Sequence, residues 1–260
     1  MRNFKWGFST LGCPANTLAE SVALADEFDF RYLELRAVED SIQLPRVFAA
    51  PEKRALLVKL AQEGRIRVFG SSFGLAAAEN DREELEALGR LADEAGVLYL
   101  RVFGGFDFRE EFREDKTETA RRNLDWFRSL GLRSQLALET HDGFSSAARC
   151  RKLFEELGEA LPVIWDAHHT CRFAGETFAD GWAMLAGHVV DVHVKDSRID
   201  ADGKLVATVP GEGDLPVGEL LELLEEADYT GLVTLEYEKL WHPYLPELRV
   251  ALEAVNRLWR

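Results

Sequence analysis

QLALETHDGFSSAARCRKLFEELGEALPVIWD, residues 135–166, reads as one complete strand–helix–strand unit. QLALET is a short, mostly apolar run that ends on polar residues, and PVIWD is a second one that ends on an acid. Runs of this kind, apolar throughout and not alternating, suit strands buried on both faces of a parallel sheet. Between them, SAARCRKLFEELG repeats its apolar residues at helical spacing and stops at a glycine.

Working outward, the same unit recurs along the whole chain. Strands are predicted at KWGFS, YLELR, IRVFGSS, LYLRVFG, QLALET, PVIWD, VDVHVK and LVTLEY, each followed by an amphipathic helical pattern. Thr17 or Asn16 can cap the first helix and Asp81 the third. Pro51, Pro216 and Pro246 suit first-turn positions, and Gly64, Gly96 and Gly131 suit helix ends. Eight strands and eight helices in strict alternation, at about 30 residues per unit, predict an α/β fold closed as one (β/α)8 barrel. A doubly wound open sheet would carry G-x-G-x-x-G after its first strand. Here TLGCPANT follows instead. No proline-rich, serine-rich or low-complexity linker divides residues 1–260, so a single domain is expected.

Composition narrows the function classes. The 260 residues are 47% apolar and 30% charged, as in ordinary globular proteins, with a formal net charge of -15. That charge opposes binding to phosphate backbones, and no lysine or arginine run offsets it, so no nucleic-acid partner is expected. Cys13, Cys150 and Cys171 are odd in number and scattered, without a CxxC pair, which suits a reducing compartment. LGC at 11–13 follows no apolar signal region, and no run approaches the roughly 20 residues of a membrane span. A cytoplasmic location and no membrane association are the expectations.

In such barrels the chemistry sits where strands end. Strand two ends in Glu34 and Arg36, and strand four carries Arg101. Strand five ends with Glu139, Thr140, His141 and Asp142. Strand six ends in Asp166, then His168 and His169. Strand seven carries His193, Lys195 and Asp196, and strand eight Glu236 and Glu238. Glu139 to Asp166 and Asp166 to His193 are both steps of 27 residues, about one β/α unit. Side chains two apart on a strand share a face, so Glu139, Asp166, His193 and Glu236 can converge inward. Carboxylates buried together repel unless a cation or protons compensate, and a divalent metal is the simplest compensation. Three carboxylates and an imidazole favour manganese or magnesium, with cobalt, iron or zinc also able to bind. The competing reading leaves these residues solvated at strand ends, capping helices, as Asp166 could, or pairing with Arg36, Arg101 and Lys195.

GFSTLGCP (7–14), LETHDGFS (138–145), WDAHHT (165–170), VHVKD (192–196) and TLEYEKLWHP (234–243) resemble the xylose isomerase-like TIM barrel superfamily, within it the sugar phosphate isomerase/epimerase family. The resemblance runs from the first strand to the last. It implies one divalent metal held by Glu139, Asp166, His193 and Glu236. It also implies an Asp-x-x-His in which His169 contacts substrate, leaving His168 as a loop histidine bonded to backbone. The implied reaction is isomerisation or epimerisation of a keto-sugar. A proton leaves the carbon beside the carbonyl, the metal stabilises the enediolate, and Glu139 and Glu236 serve as the acid–base pair. Lys195, Arg101, Arg36 and Trp241 are candidates for substrate contact, as are Glu238, His242 and Arg172, which lie close in sequence to the ligand positions. His141 and Asp142 would brace the loop or support Glu139. Trp6, Phe73, Phe103, Phe106 and Trp241 could wall a sugar ring.

PGEGD (210–214) lies where many barrels bind phosphate, but Glu212 and Asp214 would oppose an anion, and Asp214 could cap the helix that Pro216 begins. An unphosphorylated sugar or polyol is therefore favoured as partner. The resemblance also admits a lyase, an inosose dehydratase-like enzyme acting on a keto-sugar or keto-inositol, and a non-catalytic sugar-binding barrel. Endonuclease IV shares the superfamily but needs further histidines. Strand three here ends in Ser71 and Ser72, strand four offers Arg101 and Phe103, and VKDSR supplies no second histidine. Relatives are often dimers or tetramers, and no apolar stripe marks an interface.

Overall fold

Residues 4–259 are described by a computed structural model. In chain order they form β1 (Lys5–Ser9), α1 (Leu18–Glu27), β2 (Tyr32–Leu35), α2 (Leu44–Val47), α3 (Pro51–Gln62), β3 (Ile66–Gly74), α4 (Arg82–Ala95), β4 (Tyr99–Phe103) and α5 (Glu114–Ser129). There follow β5 (Gln135–Glu139), α6 (Ala147–Leu157), β6 (Val163–Asp166), α7 (Ala167–Arg172), α8 (Phe178–Leu185) and β7 (Val189–Val194). The last elements are β8 (Asp196–Ile199), β9 (Leu205–Thr208), α9 (Val217–Glu226), β10 (Leu232–Leu235) and α10 (Leu248–Leu258). Eight strands close in the order β1-β10-β7-β6-β5-β4-β3-β2, and every pair is parallel. This is the (β/α)8 barrel that the alternation predicts.

The strands are apolar on both sides because both sides are covered. Outward residues such as Phe8, Leu33, Phe69, Leu100 and Leu138 pack under the helices in the main core. Inside the barrel, Val68, Ala137 and Ile164 are fully buried against one another and form a plug. Ala137 and Ile164 each precede an acid, Glu139 and Asp166, by two positions, so the acids stand on the same face one layer nearer the strand ends. The plug closes the floor on which the polar residues rest.

Local signals fall largely where the sequence places them. Thr17 closes a capping box with Glu20 on α1, Asp81 accepts from the Glu84 amide on α4, and Gly96 ends α4 in the left-handed region. Pro51 opens α3. Other expectations are corrected. Pro216 is the N-cap residue of α9 and Pro246 precedes the N-cap of α10, so neither lies in a first turn. Asp214 does not cap α9, whose N-terminus has no side-chain cap; it pairs with Arg172 instead. The long stretch after β7 is not all loop. β8 and β9 pair as an antiparallel hairpin from Asp196↔Thr208 to Ile199↔Leu205, and the Asp200 carboxylate accepts from the Asp202 and Lys204 amides to close its turn. Cys13, Cys150 and Cys171 are all free thiols. No described helix is long and apolar enough to cross a membrane.

Candidate metal centre and adjoining cavity

Glu139 and Asp166 are the last residues of β5 and β6, His193 lies opposite Asp166 in the β6–β7 register, and Glu236 follows β10 directly. The four strands are consecutive around the barrel except that β10 takes the eighth place. One ligand atom from each of these residues lies within 4.8 Å of the others, and all four side chains are buried. Their strand positions thus bring three acids and an imidazole into one small, water-poor space, where like charges must be offset.

Two cations of the chain do part of this. Arg101 Nη1 donates to Glu139 Oε2 at 2.6 Å and lies 3.7 Å from Glu236 Oε1. Lys195 Nζ donates to Glu236 Oε2 at 2.6 Å and forms an ion pair with Asp166 Oδ2 at 2.8 Å. Asp166 divides its two oxygens. Oδ1 accepts from the His169 amide at 2.9 Å and so caps α7, while Oδ2 faces the shared space. Asp166 therefore caps α7 with one oxygen and turns the other toward the shared space.

The protonation of the centre follows from this crowding. Burial pushes the Glu139 carboxyl up, but Arg101 more than offsets it and holds it at about 2. Burial likewise acts against Glu236, and Lys195 and His193 hold it well below the usual carboxylate range. Asp166 is raised to about 7 by burial, reinforced by Glu236 and Glu139 against the pull of Lys195. His193 is driven well above the ordinary histidine value; burial opposes this, and Glu34 and Glu236 overcome it. His169 and His168 are held neutral by burial and by nearby Lys195.

Do these residues fit a divalent cation? Asp166 Oδ2 is buried and held by its ion pair with Lys195, while Glu139 Oε1 and His193 Nδ1, also buried, lack a hydrogen-bond partner. Such atoms are rare in folded proteins unless something not drawn from the chain satisfies them. His193 Nδ1 lies 3.4 Å from Glu139 Oε1 and 3.6 Å from Glu236 Oε2, so the orphan atoms share one space. The donor set is hard and oxygen-rich. The residues fit the ion.

Glu34 contributes where the sequence offered no role. On β2, across the barrel, its Oε2 lies 2.9 Å from His193 Nε2. A carboxylate on that nitrogen fixes the ring and leaves Nδ1 for the shared space. The available signal was an acid inside YLELR, a strand buried on both faces, which must have a partner.

The other candidates are spread around this core. His169 Nδ1 lies 3.0 Å from the Thr140 carbonyl, to which it donates in the neutral ring, leaving Nε2 as the acceptor. His141 packs edge-on to His169 with ring centres 4.6 Å apart, and its Nδ1 pairs with Asp142 at 2.7 Å. Arg36 leans over Gly70, where an added Cβ would sit 2.5 Å from its Cδ, and donates to Ser72 Oγ at 2.7 Å. Phe103 lies 5.1 Å from the His141 ring and exposed Phe173 lies 5.5 Å from the His169 ring. Trp6, Phe73 and Phe106 are buried, with Trp6 packed on Phe4 and Phe30. Trp241 is 52% exposed. Arg172 is turned to the hairpin, donating to the Ser197 carbonyl at 2.7 Å.

PGEGD is not an open anion cradle. The amides of Gly211 and Gly213 both donate to Asp196 Oδ2, at 2.8 and 3.1 Å. A carboxylate of the chain already takes the amides that a phosphate would need. Between this loop, the β8–β9 hairpin and residues 235–245 lies a cavity that reaches Lys195 and Glu236, and hence the metal centre.

A family model described as xylose isomerase-like TIM barrel matches residues 22–258. A comparison with curated protein sequences gives no match. Among solved structures, the chain is similar to the probable 3-DHS dehydratase AsbF of Bacillus anthracis, at TM-score 0.76 and 16% identity over 99% of this chain and 100% of that one. It is also similar to the IOLI protein with a bound zinc atom (TM-score 0.73, 15% identity, 98% and 97% covered). A third is the D-allulose 3-epimerase of a Methylomonas species in complex with D-allulose (TM-score 0.70, 13% identity, 99% and 95% covered). Identities this low establish a shared fold.

Proposed function

The chain belongs to the xylose isomerase-like TIM barrel family, and on that premise we propose that it is a divalent-metal-dependent isomerase or epimerase of an unphosphorylated keto-sugar or related polyol. The observation that carries this reading is the convergence of Glu139, Asp166, His193 and Glu236 in one buried space, with Glu139 Oε1 and His193 Nδ1 left without a hydrogen-bond partner. Solved structures of the same fold include one with a bound zinc atom and one in complex with D-allulose, which supports reading this barrel as a metal and sugar site. Manganese or magnesium suits the oxygen-rich donor set best. The whole chain acts as one domain in the cytoplasm, alone or as a homo-oligomer, without nucleic acid or membrane.

An ion held by the four ligands would supply positive charge to substrate oxygens and so stabilise the charge that develops when the neighbouring carbon loses a proton. The chain's residues do the rest. Glu139 and Glu236 are ionised and buried, so both are in the form that can take a proton from that carbon and return it. Arg101 holds Glu139 and Lys195 holds Glu236, so each carboxylate keeps a fixed orientation. His169 accepts a hydrogen bond from a substrate hydroxyl through Nε2. Lys195 and Arg101 offer their remaining protons to substrate oxygens, with Arg36 and Trp241 contributing at the rim.

Lys195 also favours a second reading. An ammonium between Asp166 and Glu236 can give a departing hydroxyl its proton, so that loss of water follows proton abstraction. The 3-DHS dehydratase among the structural relatives shares that outcome. The test is to load the purified protein with manganese and incubate it with a ketohexose and keto-inositol panel in deuterated water. Deuterium fixed at carbon with an epimer or isomer supports the first reading, and an unsaturated product the second. Glu139→Gln and Glu236→Gln should each abolish incorporation. Metal-loaded protein that exchanges nothing, or variants that keep full exchange, would overturn the proposal.

A further inference from the structure

His168 was expected to bond to backbone from a loop. It lies instead within α7, 6% exposed, and its Nε2 is 2.8 Å from Ser197 Oγ at the base of the β8–β9 hairpin. Its other nitrogen, Nδ1, is buried without a partner. The ring lines the cavity beside the metal centre, together with Lys195, Ser197, Glu236, Glu238 and His242.

Donor and acceptor accounting favours one placement of the ring proton. Ser197 Oγ accepts from Arg172 Nε at 3.0 Å, and Arg172 is itself held by the Ser197 carbonyl and by Asp214. Arg172 can only donate, so the hydroxyl keeps its own proton to give away. His168 Nε2 is the acceptor within reach. A nitrogen that accepts is unprotonated, so the proton of the neutral ring sits on Nδ1. In that arrangement the buried orphan is a donor, and the chain Asp214–Arg172–Ser197 favours this tautomer.

We infer that His168 Nδ1–H and Glu238 form a hydroxyl-reading subsite, which takes the uncharged, hydroxylated end of the substrate that points away from the metal. A hydroxyl both gives and accepts a hydrogen bond, and the subsite offers one donor and one acceptor. Glu238 also lies 3.5 Å from Lys195 Nζ and 3.9 Å from His242 Nε2, which ties the acceptor to the centre. Its carboxylate, with the Gly211 and Gly213 amides already taken by Asp196, disfavours a phosphate ester at that end. The inference rests on the reading of the centre as a sugar site. His168 and Glu238 select the substrate; Arg172 and Ser197 are positioning residues.

Two measurements test it separately. In nitrogen-15 spectra of the imidazole rings at neutral pH, His168 should show the Nδ1–H tautomer, and Ser197→Ala should shift it toward a mixture. An Nε2–H ring in the native protein would overturn the inference, whatever the protein binds. In calorimetric titrations of manganese-loaded protein with D-fructose, D-tagatose, D-sorbose and D-allulose, His168→Gln should weaken the tightest of these about ten-fold while leaving manganese affinity unchanged. His168→Asn, whose amide sits nearer the Nδ1 position, should retain more. The 6-phosphate of D-fructose should bind more weakly than D-fructose in the native protein and regain ground in Glu238→Gln. Equal ketohexose affinity in native and His168→Gln protein overturns the subsite and spares the proposed function. Failure of every ketohexose to bind native protein overturns the sugar reading and the subsite with it, although the tautomer result stands on its own.

Discussion

His193 on β7 and Glu34 on β2 meet across the barrel, Nε2 to Oε2 at 2.9 Å, although 159 residues separate them in the chain. The contact turns one nitrogen of the imidazole away from the centre and leaves the other for a metal. Orientation of a ligand histidine by a carboxylate typically affects affinity by about 10- to 100-fold. Glu34→Gln keeps the volume but loses the negative charge. Manganese affinity, measured by competition with a chelator, should fall by about that factor while the fold is retained. An unchanged affinity would leave Glu34 as a packing residue.

The protonation of the centre predicts how metal uptake depends on pH. Without metal, His193 is protonated at neutral pH and Asp166 titrates at about 7, whereas Glu139 and Glu236 are already ionised. Ligands bind metal without their protons, so uptake above pH 7 should release one proton, from His193, and uptake below pH 7 should release nearly two. Apparent affinity should therefore fall about ten-fold for each unit by which the pH is lowered toward 7, and by nearly a hundred-fold for each unit below it. A single slope through pH 7 would exclude the titration of Asp166.

Asp196 holds the loop before α9 by its two amide bonds and lies buried beside the hairpin. Asp196→Ala removes the acceptor of both, which should destabilise the protein by about 1–3 kcal/mol. Hydrogen exchange should speed up at Gly211 and Gly213 well before it does in the barrel strands. Unchanged protection at those two amides would mean that the loop is held by other contacts.

Much of this molecule was legible along the chain because the signals are local. Apolar runs of strand length, helical periodicity between them and capping residues such as Thr17 and Asp81 act over a few residues. Their eightfold alternation, without the G-x-G-x-x-G of a doubly wound sheet, points to a closed parallel barrel. The strand-end positions of Glu139, Asp166, His193 and Glu236 are local too, and a barrel brings strand ends together by its topology.

Pairings chosen between distant segments were not legible. YLELR shows an acid in need of a partner but not that His193 is the partner. GEGD shows free amides and a capping acid, yet Asp196 takes the amides and Arg172 takes Asp214, because both come within reach only when the hairpin folds back over α7. His168 has no sequence pattern to mark it; its partner is Ser197, 29 residues further on. Periodicity carries a residue's own environment, whereas hydrogen-bond partners depend on the angles and distances at which whole elements pack, and those exist only once the barrel has closed.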